Sequence, residues 1–118
     1  MEIEQYSELI KELTEHRRGL SASKRKDYTK GSVDVLANFK NVAESTDLRP
    51  EQVLLVYMQK QFDAVANYVK SNGQSESEPI KERISDLLNY AELLWGLVNE
   101  KQSADNQLDL FTGVGWRL

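Results

Sequence analysis

The stretch that decides the fold is PEQVLLVYMQKQFDAVANYVKS, residues 50–71. Pro50 stands where a first helical turn tolerates a residue without an N–H, and Glu51 lies beside the positive end of the helix dipole. Leu54, Met58, Phe62, Val65 and Val69 then recur at helical spacing, and Ser71, Asn72 and Gly73 form a stop. A helix over 50–71 follows. Lys60, Asp63 and Asn67, at three- and four-residue intervals, lie on one side of it, away from that apolar arc. Two readings stay open for them: an ordinary wetted face, or a recognition face on which Lys60 meets a phosphate while Asp63 and Asn67 meet sugar or base edges.

Toward the C-terminus, the polar run from Ser71 to Ser77 is short enough to be a helix connection. Ser75 or Ser77 caps the next helix, Pro79 falls in its first turn, and Ile84, Leu87, Leu88, Ala91, Leu94, Trp95 and Val98 make a broad apolar stripe that stops after Glu100. At ~100° per residue Arg83, Asp86, Tyr90, Leu93 and Leu97 fall on a second face. Asp86 is flanked there by apolar residues and needs a partner, with Arg83 one turn before it and Glu78, Glu82 and Asn89 within reach. Either an Arg83–Asp86 pair fixes helix packing, or these residues line a polar pocket.

Toward the N-terminus, Ile3, Tyr6, Ile10 and Leu13 share one face of a helix running to about Arg18, where Gly19 can end it. Another begins near Ser32, a suitable N-cap, carries Val35, Leu36, Phe39, Val42 and Ala43, and is broken at Asp47 to Arg49. The expected architecture is all-α: a four-helix bundle-like domain over residues 1–100 with a basic loop at about 19–31, followed by an extended C-terminal tail over 101–118.

With 118 residues, 40% of them hydrophobic, the chain has room for one small domain and none for two. Having no Cys, it is without disulfides and thiolate metal sites. The start MEIEQYSELIKEL is acidic and no run approaches the ~18 apolar residues of a membrane span, so a soluble cytoplasmic protein with no membrane partner is expected. Charge is unevenly spread. Between Arg17 and Lys30 six bases stand against the single acid Asp27, a local +5 in a chain of net −4 that leaves −9 for the remainder. Phosphate groups commonly explain such a cluster, which makes Arg25, Lys26 and Lys30 phosphate-contact candidates; the bland alternative is a solvated loop.

The run Tyr28, Gly31, Leu-Ala-Asn-Phe-Lys at 36–40, the Lys60/Asp63 pair and SEPIKERISDLLNY at 77–90 resembles small phage and prophage proteins grouped near the nucleotide modification associated domain. That family is similar in turn to the all-α, MazG-type nucleoside triphosphate pyrophosphatases. The resemblance covers roughly Asp27 to Glu100. It implies a helical bundle, homo-oligomeric, that handles a nucleotide in the bacterial host cell, with Lys60, Asp63, Glu78, Arg83, Asp86 and Asn89 as the ligand-binding positions. MazG-type enzymes hold Mg²⁺ with two acidic pairs, because phosphoanhydride hydrolysis needs metal to neutralise phosphate and activate water. Here Glu12 and Glu15 precede the region of resemblance, and Arg83 occupies the place of a metal ligand three residues before Asp86. A cation suits a bound anion, so no resident cofactor or metal and no catalytic residue is expected; Mg²⁺ through Glu78, Glu82 and Asp86 belongs only to the pyrophosphatase alternative. His16 has no triad partners, and no glycine-rich phosphate loop is present.

The tail carries an independent signal. Gln107-Leu108-Asp109-Leu110-Phe111 resembles the linear peptide by which bacterial polymerases and repair proteins dock on the replicative sliding clamp. Leu110 and Phe111 would fill an apolar pocket and Gln107 would hydrogen-bond at its rim, with Leu108 a further partner-binding position and the segment extended. Alternatively Leu108 to Leu118 folds back on the bundle or crosses to a partner subunit. Two main function classes therefore compete: a protein that binds a nucleotide or cyclic nucleotide signal, and one that occupies a sliding clamp. A third, a DNA-mimicking helical inhibitor, draws only on the acidic body.

Overall fold

Pro50 opens a helix where the sequence places one, and this helix and the long one after it run antiparallel as a hairpin. The computed structural model describes residues 1–29, 33–74 and 79–112, with side chains described outside 20–29 and 107–112. Four helices and no strand occur among the described residues: α1 (Ile3–Thr29), α2 (Ala37–Thr46), α3 (Pro50–Lys70) and α4 (Ile80–Thr112). The fold is all-α, and none of these helices is long and apolar enough to cross a membrane.

Each boundary of α3 has a local cause. The Arg49 backbone N–H donates to the Gln52 side-chain oxygen at 2.9 Å, meeting a free donor at the helix start. At the other end Asn72 and Gly73 take positive φ of 52° and 83°, and the Gly73 N–H returns to the Tyr68 carbonyl at 2.8 Å. This left-handed exit is the one that glycine and asparagine tolerate best.

The antiparallel register of α3 and α4 is marked by Glu51 with Lys101 at 3.8 Å, Tyr57 with Tyr90 at 5.9 Å between ring centroids, and Gln61 with Arg83 at 3.3 Å. Across one side of this hairpin lies α2. Phe39, fully buried, meets Tyr57 and Tyr90 edge to face at 5.4 and 6.4 Å, and Leu36, Ala43, Val53, Leu54 and Leu97 complete the core around it. α1 runs parallel to α4 along its flank, with Leu9 and Leu13 near Ile84 and Ser85 and with Arg17 paired to Glu92.

Ser32, the expected N-cap of α2, lies outside the described residues. The helix starts later than expected, at Ala37, with Leu36 at the N-cap position and no side-chain cap bond, and Asp34 braces the turn that precedes it. Its carboxylate accepts the Leu36 N–H at 2.9 Å and the Lys40 ammonium at 2.7 Å, and Lys40 reaches on to Glu100 of α4 at 2.7 Å. The Lys40 ammonium and the Leu36 N–H hold the Asp34 carboxyl below its usual range, while Asp34 and Glu100 hold Lys40 above its own. A lowered carboxyl pKa stabilises above the unfolded value and loses that contribution as pH falls. Asp34→Ala removes the hydrogen bonds to the Leu36 N–H and the Lys40 ammonium and is accordingly expected to cost about 1 kcal/mol near neutrality. The gap in melting temperature from the wild type should close as pH drops below the ordinary value of 3.8.

Three expectations are corrected. Gly19 does not end the first helix: α1 continues to Thr29, so the basic segment, with Arg25 and Lys26, is helical and not a loop. A lone helical glycine costs only ~1 kcal/mol, no proline follows it, and bases near a helix C-terminus complement the dipole. Nor does the pattern change after Glu100 end the fourth helix. α4 passes through Lys101 to Thr112, so the boundary drawn between a domain over 1–100 and a tail falls inside a helix, and Gln107 to Phe111 has helical, not extended, backbone. No glycine or proline stands between Glu100 and Gly113, and polarity alone does not stop a helix. The third correction concerns faces. Leu54 is buried as read, but Phe62 and Val69 of the α3 arc and Ile84, Trp95 and Val98 of the α4 stripe are exposed, whereas Tyr90, Leu93 and Leu97 of the second α4 face pack on the core. Both helices are apolar on two sides, and the position of α2 decides which is inside.

Candidate functional site

On the α2 side of the hairpin, below Phe39, α3 and α4 enclose a cavity of about 310 Å³ lined by Tyr57, Lys60, Gln61 and Tyr90. Helical spacing brings Tyr57 and Gln61 of α3 onto one face, and antiparallel pairing sets Tyr90 of α4 against them. The two tyrosine rings stand at 77° to one another, presenting aromatic surface within the pocket walls. Gln61 is buried, and its Oε1 accepts a hydrogen bond from Nη1 of the half-buried Arg83. A lysine ammonium at the rim and an arginine one hydrogen bond behind the wall give this pocket a positive side.

Asp86 and Asn89 also point inward, at 8% and 4% exposure. The Asn89 Oδ1 and Nδ2 have no hydrogen-bond partner, and neither does Oγ of the fully buried Ser85 one turn before it. A buried polar group left unmet costs about 1–3 kcal/mol, which makes this pair a marked local expense on α4. Asn89→Leu, which keeps the branched shape and has no polar atoms, is therefore expected to raise stability by roughly 1–3 kcal/mol, read as a higher urea midpoint at unchanged m-value.

The positions expected to bind a ligand separate into groups. Lys60 lines the cavity, Arg83 holds its wall, and Asp86 and Asn89 are buried on the neighbouring face of α4. Asp63 and Asn67 are exposed elsewhere on α3, where Asp63 accepts the Gln59 amide at 2.7 Å, so they do not join the others. Glu78 and Lys30 lie outside the described residues, as do the side chains of Arg25, Lys26, Gln107, Leu108, Leu110 and Phe111. Sequence reasoning passed over Tyr57 and Gln61. Their i,i+4 spacing was available as a signal, but only the pairing with α4 makes it a site.

Compared with family models, curated proteins and solved structures, the chain matches none.

A second cavity, of about 430 Å³, opens between α1 and α4 and is lined by Leu9, Glu12, Leu13, His16, Lys81, Ile84 and Ser85. Glu12 lines it while Glu15 faces solvent, so the acidic pair of the pyrophosphatase alternative does not point into one place. Among the described residues no three of His, Asp and Glu come together.

Proposed function

We propose that this chain binds a nucleotide, or a signal derived from one, in the α3–α4 cavity and holds it without hydrolysis. The observation that carries this reading is the joint placement of two tyrosine rings, the Lys60 ammonium and the Gln61 amide around one pocket, with Arg83 fixed behind Gln61. Aromatic surface suits a base, an amide reads base or sugar edges, and cations suit phosphate. A volume of about 310 Å³ lies at the small end of ligand pockets, enough to seat one nucleoside with its phosphate toward Lys60. Arg83 standing three residues before Asp86 favours an anion over a metal ion.

The test is thermal denaturation with a panel of mononucleotides, cyclic dinucleotides and ADP-ribose derivatives. A ligand of the pocket at ~100 times its Kd adds about 2.7 kcal/mol, a rise of several degrees for a domain of this size. No rise with any member overturns the reading. In the same samples with Mg²⁺, no release of phosphate or pyrophosphate from nucleoside triphosphates is expected; release that Asp86→Ala abolishes would replace binding by catalysis.

A further inference from the structure

Of the side chains that line the α3–α4 cavity, the Gln61 amide is the one whose direction decides what the cavity reads. The Lys60 ammonium can only donate, and the hydroxyls of Tyr57 and Tyr90 can turn to donate or to accept. An amide has one branch of each kind, and here the choice between them is made from behind. Arginine carries N–H groups and no acceptor, so the atom of Gln61 that meets Arg83 Nη1 at 3.3 Å must be the oxygen. With Oε1 engaged on the wall, Nε2 is left on the other branch. Gln61 as a whole is only 8% exposed, yet Nε2 has no hydrogen-bond partner among the described residues and is not sealed from solvent. The space it opens on is the cavity that Gln61 lines.

The fixed polar groups of the cavity are therefore donors, and no carboxylate lines it. Resting on the nucleotide reading above, we infer that the cavity selects nucleotides whose base presents a carbonyl, O6 of a purine or O4 of a pyrimidine, over those with an amine at the same place, and that Gln61 Nε2 is the selecting group. Guanine and hypoxanthine offer O6, and uracil and thymine offer O4, all acceptors for an N–H; adenine N6 and cytosine N4 are amines whose hydrogens would meet those of Nε2. A donor set against a donor loses its bond and stays out of water, and this asymmetry lets a polar site reject a ligand of almost the same shape.

The other contacts do not discriminate. Aromatic surface from Tyr57 and Tyr90 accepts the π-face of any base, and the Lys60 ammonium meets the same phosphate on each nucleotide. Selection falls to the amide alone, held in one orientation by Arg83.

Titration calorimetry on the full chain with two matched pairs tests this: inosine against adenosine monophosphate, and uridine against cytidine monophosphate. Within each pair the sugar, phosphate and ring size are shared, so their contributions cancel. The carbonyl member is expected to bind about tenfold tighter or more. Equal affinities within the pairs, or tighter binding of the amine members, overturn the inference and leave nucleotide binding standing; no binding of any of the four overturns it as well, and the wider panel above then judges the reading beneath it. Gln61→Glu supplies the reciprocal arm. It keeps the shape and the contact with Arg83 but turns an acceptor to the cavity, so the preference should invert toward the amine members. Gln61→Met keeps the length without polar atoms, and the members of each pair should converge to within about twofold. A role in packing alone would lower all four affinities together, so wild-type ratios that persist in either variant, with helical circular dichroism retained, overturn the assignment to Nε2. Should neither variant fold, the wild-type ratios decide.

Discussion

Phe39→Ala is expected to cost about 3–5 kcal/mol, the largest single loss in the molecule. The ring is fully buried and stands edge-on to both Tyr57 and Tyr90, so it is the piece by which α2 grips the hairpin. Truncation removes the transfer free energy of the ring, leaves a cavity among rigid neighbours, and forfeits two aromatic contacts of ~0.5–1.5 kcal/mol each, part of which is already in the total. Against the ~5–15 kcal/mol typical of a domain, that loss brings the fold near its limit, and urea unfolding measures it directly. Phe39→Leu, which keeps most of the volume, should cost well under half as much. If Phe39→Ala changed stability by less than 1 kcal/mol, α2 would not be the cover described. The same substitution bears on function, because Tyr57 and Tyr90 take their orientation from Phe39. Ligand affinity should fall even in conditions where the variant remains folded.

The parts of this fold legible in the sequence are those with a local cause. Pro50 and Ser71-Asn72-Gly73 set the limits of α3 through backbone chemistry, and Asp47, at a φ of 55°, ends α2 where the residues Asp47 to Arg49 break the pattern. Gly19 and Glu100 misled for a related reason. Each is a weak local signal, and helix continuation is cooperative, so one glycine or a polar stretch does not stop a helix. The facing of α3 and α4 lies at another level. Phe62 and Trp95 carry the same periodic signal as Leu54 and Leu97, and periodicity cannot tell a core stripe from a second apolar stripe turned outward. For the site, Asp86 was readable as inward because apolar residues flank it on the helix surface. Lys60 and Asp63 were indistinguishable until α4 was in place, since only the register of the hairpin puts one on a cavity and leaves the other in solvent.

That distinction gives the second large effect. Lys60→Ala and Arg83→Ala are each expected to weaken nucleotide binding roughly ten- to a hundredfold, the range for losing a hydrogen bond to a charged group at ~1.5–3 kcal/mol. Asp63→Ala and Asn67→Ala should leave it within twofold. Lys60 is exposed and makes no core contact, so its loss should change affinity with little change in melting temperature of the free protein. Arg83 also holds Gln61, so its replacement leaves a buried amide oxygen without that donor and should lower stability by about 1–3 kcal/mol as well. Arg83→Lys separates the two roles: it keeps the charge but loses the planar fork, and should recover phosphate attraction only in part. Because both contacts are electrostatic, affinity should fall as salt rises, and the Lys60→Ala chain should show the shallower dependence. Titration calorimetry of the four alanine variants at two salt concentrations tests all of this at once. Equal losses at Lys60 and Asp63 would mean that the ligand lies on the outer face of α3 and not between the helices.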